Sequence, residues 1–338
     1  MARDDEQPQE PDPGTRTAAS KPPESKPAEG PKPKRRRRLW IGLLLIPALA
    51  LAGAAGAFWT GYRLYDEPFV WYNTNRIAAT DDRASRGMGS PIVVALGGAG
   101  LRHATLDEEG MAALVAKQGV ERSQFLRIVH DHAQFADFEP MLGAILKTKP
   151  DLVLLDLDLL FAERRPLADL RRYASVLHGV AAEGKPYLPD QIALQYDKPC
   201  RPANPDGTAR DDVDRRVESL RSVVTLNAGS SAYDRVRRFA DEARDAGTRV
   251  ALLQLRRPAQ FEERLYGPGS SYLPDALARL NGQAGLPIWH FPEAVHKNAY
   301  YCRSGALGPE GRKAYSAWLA AGIAQVLSQP RVEEAALR

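Results

Sequence analysis

Nucleophilic catalysis needs a hydroxyl or thiol, a base in reach and a group that orients the base. Glu293 and His296 have acid-x-x-His spacing, and Ser304 follows them. A substitute triad of Ser304, Glu293 and His296 is one reading; an ordinary rim histidine is the other. Ser230, Ser231, Ser270 and Ser271 add hydroxyls, but both pairs sit in Gly-Ser-Ser, which is turn chemistry. A second group surrounds the run Pro91 to Thr105. There Gly97, Gly98 and Gly100 crowd Ala99, and Arg102 and His103 follow. Those two side chains either contact a ligand or cap a cleft rim. Asp156 and Asp158 end another apolar run and, two apart on a strand, would share one face. They would bind a sugar hydroxyl or a cation there, or be solvated loop carboxylates, which is the simpler expectation. Arg256 and Arg257 read as a solvated pair. No P-loop or zinc signature occurs. Gly-Gly-Ala-Gly lacks the spacing and downstream acid of a dinucleotide fingerprint, so no cofactor or metal is expected.

The elements that must hold these residues alternate between strand and helix. Ile92 to Leu96 is an apolar, β-branched run, as in a parallel strand buried on both faces. The glycines after it predict a tight strand-to-helix turn using φ > 0, then a helix with Thr105 as N-cap. Further strands are predicted at 125–129, 150–160, 249–255 and 286–290. Helices are predicted at 135–146, 167–180, 213–224, 233–246, 272–280 and from Pro309 to Leu327, with an irregular excursion over 186–207. Alternation of this kind means an α/β domain with a mainly parallel five-stranded sheet.

The first sixty or so of the 338 residues differ in kind. Residues 1–38 form a disordered basic tail with eight prolines, ten Lys/Arg and seven Asp/Glu. It carries +3 of the net +4, so the remainder shows no electrostatic footprint for nucleic acid. Residues 39–62 are 24 without a charge, flanked by Trp40 and by Phe58, Trp59 and Tyr62. That suits a transmembrane helix with aromatic belts, its basic side in the cytoplasm. A cleaved signal peptide ending near Ala55-Gly-Ala57 is the competing reading. Ala48, Ala52 and Gly56, like Gly53, Ala57 and Gly61, have small-xxx-small spacing for packing on another membrane helix. Residues 63–90 read as a connector whose Tyr65, Phe69, Trp71 and Tyr72 pack on the domain, with an exposed loop from Asp81. The domain spans 91–328 and a short tail 329–338. In an oxidising compartment Cys200 and Cys302 are free to form a disulfide; two unrelated thiols are the alternative.

This order resembles the SGNH/GDSL hydrolase family, a flavodoxin-like three-layer α/β/α fold. It is most similar to the membrane-anchored extracytoplasmic branches, alginate O-acetyltransferase-like and D-alanyl-transfer-protein-like. The resemblance rests on the strand and glycine turn at 92–100, on Lys149-Pro-Asp-Leu-Val-Leu-Leu155, and on Phe291-Pro-Glu followed by Ala306-Leu-Gly-Pro-Glu-Gly-Arg312. It implies a serine nucleophile where this chain has Ala99, a histidine where it has Ala306, and that histidine's aspartate where it has Arg303. A methyl group cannot form an acyl-enzyme, so the resemblance implies a degenerate catalytic site. The expected function is an extracytoplasmic module, anchored in the plasma membrane, that binds envelope polysaccharide or scaffolds a membrane-bound O-acyltransferase. An active serine O-acyltransferase or esterase is the alternative. A structural protein dimerising through its membrane helix is the third reading.

Overall fold

The computed structural model describes residues 34–87, 89–130, 132–164, 166–184, 231–255, 286–292, 298–302 and 306–329, with short pieces at 214–215, 217–218, 224–226, 257–258, 261 and 264. The chain divides into two units, Met1–Ala52 and Gly53–Arg338. In the first, the described residues are the start of helix α1 (Lys34–Gly61). Leu43, Leu45, Ile46, Leu49 and Leu51 are all exposed on it, and the helix is long and apolar enough to cross a membrane.

Five parallel strands make the sheet of the second unit: β1 (Ile92–Gly97), β2 (Gln124–Val129), β3 (Leu152–Asp156), β6 (Arg249–Gln254) and β7 (Ile288–His290), in the order β2-β1-β3-β6-β7. Val94 pairs with Leu126 on one side and Val153 on the other, which places β1 inside the sheet. Side-chain alternation then builds two cores. On one face Val94, Leu96, Ile128 and Leu155 meet Phe69 and Ile77 of α2 (Glu67–Arg86), Met141 of α5 (Glu139–Lys147) and Phe239 of α7 (Ser231–Asp245). On the other, Val93, Ala95, Leu154 and Leu253 meet Met111 of α4 (Glu108–Lys117) and Tyr315 and Leu319 of α8 (Pro309–Leu327). Both faces of the central strands are covered, and that is why their sequences are apolar without alternation.

Several sequence expectations are corrected. The stretch from Asp81 is not a loop. α2 runs to Arg86, because Ile77, Thr80 and Ala84 continue one buried stripe. Tyr65 and Phe69 are buried on the domain, whereas Trp71 points outward at 66% exposure. Helix α3 (Ala99–Ala104) starts directly after the glycine turn. Thr105 therefore ends a helix instead of starting one, its hydroxyl donating to the Leu101 carbonyl, and Asp107 caps α4 by accepting from Gly110 N at 2.7 Å. The 150–160 run is strand only to Asp156 and then turns as a 3-10 helix, Leu157–Leu160. An antiparallel ribbon of β4 (Ala162–Arg164) and β5 (Val224–Leu226) was not foreseen, and β5 takes the end of a predicted helix. Between these strands, α6 (Pro166–Glu183) is longer than its apolar pattern implied. The expected excursion at 186–207 and helix at 272–280 lie outside the described residues.

Edge strand β2 is pinned by a polar residue. Arg127 is buried, and its Nη1 donates to the carbonyls of Arg102, Thr105 and Leu106 and to Thr105 Oγ1. It thereby closes the C-terminal end of α3. Its backbone N–H, on the strand's open edge, donates to Glu108 Oε1 at 2.8 Å, and Glu108 is paired with Arg76 of α2.

Two glycines give opposite expectations. A Cβ at Gly311, in the first turn of α8, would lie 2.5 Å from the Tyr300 carbonyl oxygen and 2.7 Å from Leu307 Cδ2. At Gly143, in α5, it would meet nothing within 4 Å. In chemical denaturation Gly311→Ala should lose about 1–3 kcal/mol, and Gly143→Ala should gain roughly 0.5–1 kcal/mol.

Candidate functional site

Open parallel sheets present ligand sites outside the carboxyl ends of their strands. At that edge β1 ends in Gly97, Gly98 is extended (φ −89°), and Ala99 opens α3. None of Gly97, Gly98 and Gly100 has positive φ, contrary to expectation. Gly97 is required by close approach instead: a Cβ there would lie 2.9 Å from both Asp156 Cβ and Leu101 Cδ2.

Asp156 is the centre of this edge. Its side chain follows Leu152 and Leu154 onto the α4/α8 face and is buried. Oδ2 accepts from Gly98 N at 3.3 Å and Oδ1 from Asp158 N at 3.2 Å, so one carboxyl ties the β1 turn to the β3 turn. Asp158 is ion-paired with Arg257, which follows β6. The expected solvated carboxylates and solvated arginine are thus overturned. β3 and β6 are neighbours, and the ends of both strands deliver these side chains to one place. Strand alternation does not relate Asp156 to Asp158, because Asp158 already belongs to the 3-10 turn. Burial, then the Asp158 carboxylate, pushes the Asp156 carboxyl up to about 7, against the pull of Arg257 and the two amides. Tyr315, on the same face, is fully buried, and its hydroxyl has no hydrogen-bond partner among the described residues. Burial and then Asp156 raise that phenol well above its ordinary range.

The other anticipated residues separate. Arg102 is buried at 4% exposure, which overturns a role at a cleft rim. His103 is half-buried, and its carbonyl accepts from Arg312 Nε at 3.1 Å. Ala306 lies in the segment leading into α8, its carbonyl accepting from Cys302 N at 2.8 Å. Cys302 is buried and disulfide-bonded. Cys200, Arg256, Ser230, Ser270, Ser271, Glu293, His296, Arg303 and Ser304 lie outside the described residues, and Ser231 is an exposed first residue of α7.

A second polar cluster, absent from the sequence reading, centres on His130 just beyond β2. The imidazole is 2% exposed, with Nε2 3.7 Å from Asp66 Oδ1 and Nδ1 3.5 Å from Asp137 Oδ2. Asp66 accepts from Arg172 Nη2 at 3.1 Å and from the Tyr173 hydroxyl. Burial and that carboxylate push the Tyr173 phenol up to about 12. Arg172 also lies over the Tyr65 ring at 4.6 Å. The available signal was His130-Asp131-His132, three polar residues at the carboxyl end of a predicted strand.

No family model and no curated protein matches the chain. Among solved structures it is similar to an acetyl xylan esterase, at 11% identity and a TM-score of 0.33, with 70% of this chain and 97% of that chain covered. The described residues contain no group of three or more His, Cys, Asp or Glu able to hold a metal ion. As observed, the edge offers a half-exposed glycine turn backed by a buried carboxyl, with no side-chain nucleophile at Ala99.

The Asp156 carboxyl holds its proton to about 7 in the fold and to 3.8 in an ordinary setting. Between those values the native state binds more protons than the unfolded chain, so stability falls as pH rises through that window. From pH 5 to pH 8 the wild type should lose at most about 3 kcal/mol through this group. Asp156→Asn can accept only one of the two amides and should cost about 1–3 kcal/mol at pH 5. That cost should shrink by pH 8, as followed by urea denaturation; a pH-independent difference would refute the assignment.

Proposed function

We propose that the chain is an extracytoplasmic SGNH-like domain of three-layer α/β/α type, anchored in the plasma membrane by residues 39–62. In this reading it binds envelope polysaccharide, or scaffolds a membrane-bound O-acyltransferase, without itself turning over acyl groups. One observation carries the reading. Ala99 stands at the turn where the resemblance implies a serine, and Asp156 accepts the adjacent Gly98 amide. Acyl transfer needs a nucleophile and free donors aimed at a developing oxyanion. Here the first is a methyl group, and the donor beside it faces a carboxyl. Arg35 to Arg38 on the amino side of the apolar helix favour a cytoplasmic tail. The disulfide-bonded state of Cys302 favours an oxidising compartment for the domain.

Purified full-length protein should take no covalent label from a fluorophosphonate probe and should leave p-nitrophenyl acetate at its background rate. A labelled serine, or turnover at enzyme rates, would replace this reading with an active esterase. Unreduced protein isolated from cells should bind no N-ethylmaleimide and, after reduction, two equivalents. Two equivalents without reduction would remove the extracytoplasmic placement.

A further inference from the structure

The His130 cluster lies on the opposite sheet face from Asp156 and joins the end of the apolar helix to the glycine turn. α1 does not pass directly into α2: Tyr62–Asp66 is a π-helical turn, closed by Glu67 N–H donating to the Tyr62 carbonyl. A π turn holds one residue more than the α turn it replaces, and such turns are rare and concentrated at functional places. The extra residue lets both flanks dock. Before it, Gly61 packs so closely on Tyr173 of α6 that a Cβ would overlap the ring, and Phe58 meets the same ring edge-on at 5.2 Å. Within and after it, Tyr65 and Phe69 meet the His130 ring edge-on at 5.4 and 4.7 Å, and Asp66 reaches Arg172, Tyr173 and His130. In an uninterrupted α-helix the two flanks would be turned by about 100° relative to each other, and Gly61 and Phe69 could not keep both contacts. The backbone of His130 reaches the same edge: its amide N–H donates to the Gly97 carbonyl at 3.1 Å, one rung beyond the β1–β2 pairing.

We propose that the π turn is a register-dependent latch through which the helix before it controls the glycine turn. In the π register Asp66 is seated beside His130, and the segment from Gly97 to His103 is held. A rotation of that helix which returns Tyr62–Asp66 to the α register withdraws Asp66 and loosens the segment. The device responds to whatever turns the apolar helix, and it operates whichever ligand the edge takes.

Hydrogen–deuterium exchange on the full-length chain in detergent micelles tests this. Three variants are compared with wild type: Asp66→Ala, Gly61→Leu, and deletion of Leu64, which shortens the π turn to an α turn. Each should speed exchange at Gly98 to His103 at least ten-fold, while the β6 amides from Val250 to Leu253 exchange as in wild type. Wild-type exchange at 98–103 in Asp66→Ala would overturn the latch. Wild-type exchange there after deletion of Leu64 would overturn its register dependence. A rise in β6 equal to that in the turn, in any of the variants that unfolds, would show destabilisation of the whole domain and would equally overturn it.

Discussion

The structure depends on how closely β1 and β3 approach at their carboxyl ends. Gly97 contributes no side chain at the point where Asp156 rises from the neighbouring strand, and a Cβ there would stand 2.9 Å from the aspartate's own. That proximity lets one carboxyl reach the backbone of both turns. A buried carboxyl carries a desolvation cost, and it is tolerated because each oxygen has a backbone donor and because Arg257 balances its neighbour Asp158. The helix that follows, the face it covers and the exposure of Ala99 all derive from where this turn is pinned.

The two faces of the edge carry different chemistry because strand alternation sends adjacent positions to opposite sides. Asp156 goes under α3 and α8 with Tyr315. His130 goes toward α2, where Tyr65 and Phe69 wall it in and Asp66 and Asp137 flank it. Neither cluster is a nucleophile with its base. The first organises backbone amides; the second joins the helix emerging from the apolar segment to the sheet. Gly61, which shares small-residue spacing with Gly53 and Ala57, packs within the chain against Tyr173, whereas Gly53 and Gly56 have nothing within 4 Å.

The sheet was legible because burial on both faces leaves a plain signal: apolar, β-branched runs such as Ile92 to Leu96. The last helix was legible from Pro309 and its apolar pattern, and both its ends match. Boundaries failed where local chemistry looks alike in two settings. Thr105 and Asp107 are both good caps, and only the position of α3 separates them. Asp158 and Arg257 look like loop charges because their partnership spans about a hundred residues and the ends of two strands. His130 was missed because histidine beside aspartate reads as solvent-exposed, and because Asp66 comes from a segment whose docking is tertiary. Asp66 reaches His130 through a π turn, for which the sequence carries no dependable mark.

Arg127 interrupts the apolar run of β2, and its hydrogen bonds give the interruption a purpose. A strand that slid along β1 by one position would carry its guanidinium to the opposite side, away from the α3 carbonyls, and strand an ion in an oily layer. Val93, Val94 and their neighbours on β1 are nearly interchangeable as partners, so shape alone would forgive such an error. A single cation among hydrocarbons thus acts as a proofreading peg, making misaligned assembly costly where greasy packing would be indifferent.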